Sequence, residues 1–303
     1  MNTARLPASG ASTIRPSQAT PTYSPTLTLV YVLTYLPARR AGYANFCPAA
    51  LSDTADDFDG QLATAVHELL HAMGFSSGSW PLFRNADGTP KTPREADGLP
   101  SYGPVTCTDG TTGNDFAVDA STLAVSTQRG TTVMELVTPK VASVARDVFG
   151  CTTLTGAPLE NQPTSSGSCR GSHWEQRLLM SELMASTTSH VSIYSALTLA
   201  LLEDSGWYTA NYSMAHPLLW GRGKGCDWAS EKCVGASSGT AAGFCDESSP
   251  TNACTPDHRA KGYCNMVNYG GSLPTEYQYF TDATKGGSLV QADYCPYYNG
   301  WAK

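Results

Sequence analysis

One short segment places two histidines four positions apart, and this spacing constrains the local fold more than any other feature of the chain. The segment runs from Ala65 to Phe75 and reads Ala-Val-His-Glu-Leu-Leu-His-Ala-Met-Gly-Phe. Residues four apart share one face of a helix. Imidazoles at His67 and His71 can therefore bind one zinc ion from the same side. Glu68 lies beside that ion, where it can take a proton from water, a pattern typical of zinc peptidases.

The surrounding residues predict a helix over 61–74. Asp57 and Asp59 precede it and favour a helix N-terminus, by capping and by opposing the macrodipole. Gly74 ends the pattern and suits a left-handed C-terminal cap. Apolar residues recur at helical spacing and predict one stripe that faces a core, with the histidines on a different stripe toward a cleft. This stripe consists of Leu62, Val66, Leu69 and Met73.

A zinc site of this kind needs a third protein ligand, and the residues alone leave more than one candidate. In metzincins a histidine follows the helix glycine by three positions, but that position here is Ser77. A downstream glutamate is the other common solution, and Glu95 is a candidate, although its surroundings are typical of a loop. The remaining histidines are His173, His190, His216 and His258.

Several downstream motifs resemble the leishmanolysin family of zinc metallopeptidases, which are metzincins. The motifs appear in the family's order, and the likeness covers most of residues 26–76 and 171–300. They are Gly171–Glu175, Ser181–Ala185, Ser195–Tyr208, Leu218–Cys226, Lys261–Tyr269 and Ala292–Pro296.

The resemblance implies a role for each site residue. It makes His173 the third zinc ligand, after an insertion from about Ser77 to Ser172. It makes Met184 the apolar floor beneath the metal, in the family's Met-turn, and Glu68 the general base. Glu175 and Glu182 are expected to be structural or to support the ligands rather than to bind the ion.

The resemblance also implies the fold class, which is α+β: a metzincin-like zinc peptidase with a mixed sheet, an active-site helix, a helical C-terminal lobe and a disulfide-rich C-terminal region. The pattern predicts a strand at Thr26–Leu36, regular pieces at Thr131–Val137 and Val141–Phe149, and a helix over 192–205 opened by Ser192. The expected organisation is a disordered segment (1–25), an N-terminal catalytic subdomain (26–76), the insertion (77–170), a C-terminal catalytic subdomain (171–222) and a Cys-rich domain (223–303).

Cysteine content predicts a location outside the cell, and the net charge bears on the partners. Ten cysteines without a C-x-x-C spacing predict a disulfide framework, formed in an oxidising compartment. Asn211-Tyr212-Ser213 is a glycosylation sequon, consistent with an extracellular or cell-surface location. The net charge of −7 argues against nucleic acid as a partner. No apolar run is long enough to span a membrane. A signal peptide, a pro-segment and a lipid-anchor tail are not recognisable, so we expect a fragment or an incomplete gene model.

Two functions follow from these observations. The first is a monomeric endopeptidase with one Zn²⁺ per chain, acting on proteins and peptides. The second is a catalytically weak surface adhesion or binding protein on the same scaffold. In the family, a strand before the zinc helix positions an extended substrate, but only 20 positions separate Cys47 from His67, and the small, acidic residues between them predict no strand. That departure favours the second function, and the intact His67, Glu68, His71, His173 and Met184 set favours the first.

Overall fold

The computed structural model describes residue 48 and residues 51–161, 169–187, 192–235 and 239–300. The predicted disordered segment (1–25), the predicted strand Thr26–Leu36, Cys47 and His190 lie outside the described residues.

Most regular elements are short. The helices are α1 (Ala55–Met73), α2 (Pro139–Phe149), α3 (Ala196–Asp204) and α4 (Gly225–Ser230). The strands are β1 (Tyr102–Thr106), β2 (Thr112–Phe116), β3 (Leu123–Gln128), β4 (Thr131–Leu136), β5 (Ala157–Pro158), β6 (Asn252–Cys254), β7 (Lys261–Cys264), β8 (Met266–Asn268), β9 (Lys285–Gly287) and β10 (Tyr298–Gly300). Single 3₁₀ turns lie at Trp80–Leu82, Tyr212–Met214, Thr275–Tyr277 and Val290–Ala292.

The helix that carries the H-E-x-x-H pattern is longer than predicted. It begins at Ala55 rather than at residue 61, after Thr54 as N-cap residue. The Thr54 hydroxyl donates a 2.6 Å hydrogen bond to Asp57, which therefore lies inside the first turn rather than before it. The predicted end at Gly74 is confirmed, but the predicted left-handed cap is not. Gly74 follows Met73 with φ of 130° and ψ of 2°, outside the left-handed helical region, and its N–H donates to the His71 carbonyl. Residues 51–54 form no strand, so the described chain before α1 contains no substrate-edge strand.

The predicted core stripe of α1 is wrong for three of its four residues, and only Val66 packs against the core. Leu62 is 50 % exposed, Leu69 54 % and Met73 37 %. The inward face instead carries buried Leu70, with partly buried Ala63 and Val66 packed against the core. This face runs beside His67 and His71. The helix carries apolar residues at helical spacing on two sides, and periodicity alone does not say which side is buried. The side next to the histidines is the buried one because both imidazoles turn inward.

The insertion contains a hairpin, a second small sheet and a helix. β1 pairs with β2, and β3, β4 and β5 form an antiparallel sheet in that order. The predicted regular piece Thr131–Val137 is confirmed as β4, whose side chains are nearly all buried. The piece Val141–Phe149 is confirmed as most of α2, which begins at Pro139 and ends at Gly150 in the left-handed conformation, with φ of 66°.

The segment after the insertion is mostly irregular but deeply buried. Its Trp174 forms an antiparallel bridge with Leu159, which extends the β3-β4-β5 sheet by one more short piece of chain. The helix predicted from Ser192 begins later, at Ala196. Ser195 caps it by accepting a 3.2 Å hydrogen bond from the Leu197 N–H. Both positions are serine, and the pattern could not tell which one the backbone would use.

The C-terminal region is held by disulfides and by a buried ion cluster. Strands β10, β7 and β6 form one small antiparallel sheet, and β8 pairs with β9. The guanidinium of Arg177 lies 3.6 Å from the Asp293 carboxylate, and Arg129 lies 3.3 Å from the same carboxylate. The disulfides of the described chain are Cys107–Cys169, Cys151–Cys226, Cys233–Cys295 and Cys245–Cys264, which confirms the predicted framework. Cys254 is exposed and has no disulfide partner among the described residues.

At the level of fold class, the described residues combine helices and strands with four disulfides, in agreement with the predicted α+β class and disulfide framework. All pairs between the strands named above are antiparallel, and parallel pairing occurs in the described residues only as single bridges. The mixed sheet, the helical C-terminal lobe and the domain boundaries stay predictions. No helix in the described ranges is both long and apolar enough to cross a membrane.

Candidate metal centre

Three histidine side chains converge on one point. The Nε2 atoms of His71 and His67 are 2.9 Å apart, those of His71 and His173 3.1 Å, and those of His67 and His173 3.2 Å. His71 is 4 % exposed, and the other two rings are partly buried. Three imidazole nitrogens around one tetrahedral zinc, at about 2.0–2.1 Å from it, lie about 3.3–3.4 Å apart. The observed spacing is close to that value and slightly tighter.

The other nitrogen of each ring is already engaged. His67 Nδ1 lies 2.6 Å from the Leu183 carbonyl oxygen, and His71 Nδ1 lies 2.6 Å from the Phe75 carbonyl oxygen. A carbonyl can only accept, so both rings must donate from Nδ1. His173 Nδ1 lies 2.8 Å from Glu160 Oε1, where it also acts as donor. These contacts fix the tautomer in which Nδ1 carries the hydrogen and Nε2 carries a free lone pair.

This arrangement fits a cation. With the Nδ1 hydrogens committed elsewhere, the Nε2 lone pairs face one another at about hydrogen-bond distance with no hydrogen between them. Burial, together with the neighbouring His173, lowers the pKa of His67 to about 4. Burial also holds the pKa of His71 well below its ordinary value, as do His173 and His67. The His67 and His71 rings therefore stay neutral near pH 7 rather than binding a second proton. A metal ion that accepts the nitrogen lone pairs would remove the repulsion between them.

The two ends of the insertion meet at this centre. The Ser77 N–H donates a 3.2 Å hydrogen bond to the Ser172 hydroxyl, and the two hydroxyls are 3.2 Å apart. Nearby, the Trp80 indole N–H donates to the Gly171 carbonyl. In the sequence, Ser77 stands where the metzincin pattern has its third histidine. The predicted insertion begins at this residue, and its other end, Ser172, contacts it. His173 comes next after Ser172 and lies within the cluster.

The competing ligand candidates lie elsewhere. Glu95 is exposed in a turn closed by hydrogen bonds among residues 95–99, and His216 and His258 are both exposed. The one potential metal cluster found among the described residues consists of His67, His71 and His173.

A buried turn braces the cluster from below. Met184 is fully buried, and its neighbour Leu183 supplies the carbonyl that holds His67. The Glu182 carboxylate accepts the Met184 N–H, and also accepts hydrogen bonds from the hydroxyls of Ser195 and Thr198. Burial raises the pKa of Glu182 despite these donors. The turn is thereby tied to the start of α3.

Two glutamates are neighbours of the histidines, Glu68 along the chain and Glu160 in space. Glu68 is half-buried and follows His67 directly on α1, as the sequence predicts. Glu160 was missed, because its contact with His173 comes from the bridge between Leu159 and Trp174 rather than from any local motif. A glutamate beside a two-residue strand carries no signal of its own in the sequence.

Comparison with known proteins gives the family. The family described as Leishmanolysin matches residues 110–303, which is more than half of the chain. The chain belongs to the leishmanolysin family. The range includes His173 and Met184 but begins after α1, so it does not by itself cover His67, Glu68 and His71.

Curated members of the leishmanolysin family match most of this chain. A leishmanolysin-like peptidase of Drosophila melanogaster is 36 % identical over 278 residues, covering 85 % of this chain and 40 % of that protein. One from Caenorhabditis elegans is 35 % identical, covering 85 % and 42 %. Leishmanolysin of Leishmania major is 32 % identical over 252 residues, covering 82 % and 35 %. The chain thus spans well under half the length of these relatives.

Proposed function

We propose that this chain is the catalytic part of a zinc-dependent endopeptidase that hydrolyses peptide bonds of proteins. The observation that carries the proposal is the convergence of three Nε2 atoms whose rings all donate from Nδ1 to other groups. The relatives named as leishmanolysin-like peptidases support the reaction class.

The proposed ligands of one Zn²⁺ per chain are His67, His71 and His173. Three neutral imidazoles leave the full charge of the ion available, and a fourth position stays open. When bound, zinc lowers the pKa of water and polarises a carbonyl group. Met184 is the proposed apolar floor beneath the ion, in the turn whose Leu183 carbonyl orients His67.

Glu68 is the proposed general base and acid. It follows His67 directly on α1, the position from which the H-E-x-x-H pattern expects its carboxylate to act. The carboxylate removes a proton from the water that attacks the peptide carbonyl carbon, and then passes that proton to the leaving amine nitrogen as the C–N bond breaks. The carboxylate is regenerated at the end of the cycle.

The proposed location is outside the cell, either secreted or on the cell surface. Four disulfides support an oxidising compartment, because thiols stay reduced in the cytosol. The exposed Asn211 sequon agrees with that route. Protein and peptide substrates are the partners expected of a peptidase of this family.

The first test is cleavage of casein by the oxidised chain and by Glu68→Gln. We expect both proteins to bind one zinc. Cleavage by the variant should fall about 10²–10⁴-fold, the range for loss of a general acid–base group. Glu95→Gln is the matched control, because Glu95 is exposed and lies outside the histidine cluster. It should keep both zinc and activity.

Three outcomes contradict parts of this proposal. A folded wild type without zinc would overturn the metal site. Equal cleavage by Glu68→Gln would remove Glu68 from the mechanism. Zinc in both proteins with cleavage in neither would favour the binding-protein function on the same scaffold.

A further inference from the structure

We propose that Glu160 is the positioning residue of the third histidine, and that its charge sets the affinity of the site for zinc. This inference rests on the proposed metal site. It assigns a role to a residue that no motif marks, shortly after β5.

Glu160 holds His173 through both side chain and backbone. Its Oε1 accepts a 2.8 Å hydrogen bond from His173 Nδ1 and a 3.1 Å bond from the Ser172 N–H. The Glu160 N–H donates in return to the His173 carbonyl, at 3.0 Å. The ring is therefore fixed in both tautomer and direction, with Nε2 aimed at the cluster.

The carboxylate differs from the partners of the other two rings. His67 and His71 donate to backbone carbonyls, which carry no net charge. His173 instead donates to a carboxylate, that of Glu160, which is 4 % exposed. A carboxylate behind an imidazole makes that ring a stronger donor to a metal, and loss of such a partner typically costs 10–100-fold in affinity.

The local charge balance favours the same role. One Glu160 oxygen, Oε2, is buried and has no hydrogen-bond partner among the described residues. Burying an anion in this way is costly without a nearby positive charge. Three neutral imidazoles around Zn²⁺ leave two positive charges, and Glu160 offsets one of them from 2.8 Å behind His173. The buried charge is thus explained by the ion that the cluster fits.

The test is zinc affinity, measured by competition with a chelator of known affinity. Glu160→Gln keeps the size and an acceptor oxygen but removes the charge, and we expect zinc to bind at least tenfold more weakly. Glu135→Gln is the matched control. Glu135 is also a buried carboxylate of this sheet, hydrogen-bonded by Gln128 and Thr155 rather than by a histidine. Its variant should bind zinc as the wild type does.

A purely structural role would give a different pattern. In that case Glu160→Gln and Glu135→Gln would lower the melting temperature alike, and folded protein of either variant would bind zinc within twofold of the wild type. That result would overturn the inference while leaving the zinc site intact. Absence of zinc from folded wild type would instead overturn the proposed function.

A measurement on the wild type covers the case in which Glu160→Gln does not fold. We expect the zinc-loaded protein to show a strongly deshielded imidazole N–H signal for His173 Nδ1, slow to exchange with solvent because Glu160 is buried. Assignment by ¹⁵N labelling of histidine would identify it. A His173 ring that carries its hydrogen on Nε2, or exchanges it freely, would overturn the proposed contact.

Discussion

At the scale of single residues, Gly171 allows two segments of the candidate metal centre to approach one another. A Cβ atom built at this position would lie 2.6 Å from the Glu160 carbonyl oxygen and 2.8 Å from Glu160 Cγ. The nearest obstacle is backbone in a bridged segment, which cannot move aside cheaply. Glycine is therefore required here by close approach rather than by an unusual φ.

We expect Gly171→Ala to lower the free energy of unfolding by about 1–3 kcal/mol, the usual cost of forcing extra volume into a packed site. Zinc affinity should fall as well, because the methyl group pushes Glu160 away from His173. Denaturant titration with disulfides intact measures the first effect, and chelator competition the second. Gly270→Ala is the control, since a Cβ there meets nothing within 4 Å. Equal stability of the two variants would contradict the argument.

Residues related by local spacing were predictable, whereas residues related by tertiary contact were not. His67, Glu68 and His71 lie on one helix, and the spacing of four residues places both imidazoles on one face. The place of His173 in the cluster needed the family resemblance, because the insertion separates it from α1. Glu160 has neither a motif nor a periodic position.

At the scale of elements, the turn below the cluster depends on one buried carboxylate. Glu182 accepts hydrogen bonds on both oxygens, from Met184 on one and from Ser195 and Thr198 on the other. These contacts join the turn to the first residues of α3. The Leu183 carbonyl lies between Glu182 and Met184, so the direction of His67 depends on the same contacts.

We expect Glu182→Gln to destabilise the fold by about 1–3 kcal/mol, because the new amide nitrogen must face either the Met184 N–H or the Ser195 N–H and leaves that donor unpaired. The midpoint of denaturant unfolding is the measurement. The Glu95 side chain is exposed and forms no hydrogen bond to another described side chain, so Glu95→Gln should keep a free energy of unfolding within about 0.5 kcal/mol of the wild type. A stable Glu182→Gln protein would show that the turn is held by packing alone.

Element type was easier to predict than element orientation. The helix pattern of α1 and its end at Gly74 follow from local signals, and β4 and α2 follow from periodicity. The buried side of α1 does not follow from periodicity, because Leu62 and Leu69 have the spacing of a core stripe yet are exposed to solvent. The side that a helix buries depends on what packs against it.

At the scale of the whole molecule, long-range links join the three parts that surround the metal centre. The Cys151–Cys226 disulfide ties the end of α2 to α4, and the Arg177–Asp293 pair ties the segment after His173 to the C-terminal region. An even number of cysteines predicted such links, but their pairing depends on the path of the chain in space. The histidine cluster is the third such link, because it joins α1 to the segment after the insertion.

Because the histidine cluster joins two parts of the fold, we expect the free energy of unfolding to depend on bound metal. Without an ion, three Nε2 lone pairs repel one another between α1 and the segment of His173. A ligand that binds only the folded state adds about 2.7 kcal/mol when present at 100 times its dissociation constant. For a chain of 303 residues, we expect the melting temperature to rise on the order of 4 °C when zinc is added to metal-free protein.

Calorimetry of metal-free protein, with and without zinc, measures this rise. Calcium should give no comparable rise, because imidazole nitrogen suits zinc and calcium requires oxygen ligands. His173→Gln should lose most of the zinc effect while keeping the metal-free melting temperature near that of the wild type, since it removes one of the facing lone pairs. If zinc raises the melting temperature of His173→Gln as much as that of the wild type, the ion binds elsewhere and the cluster does not join the two segments.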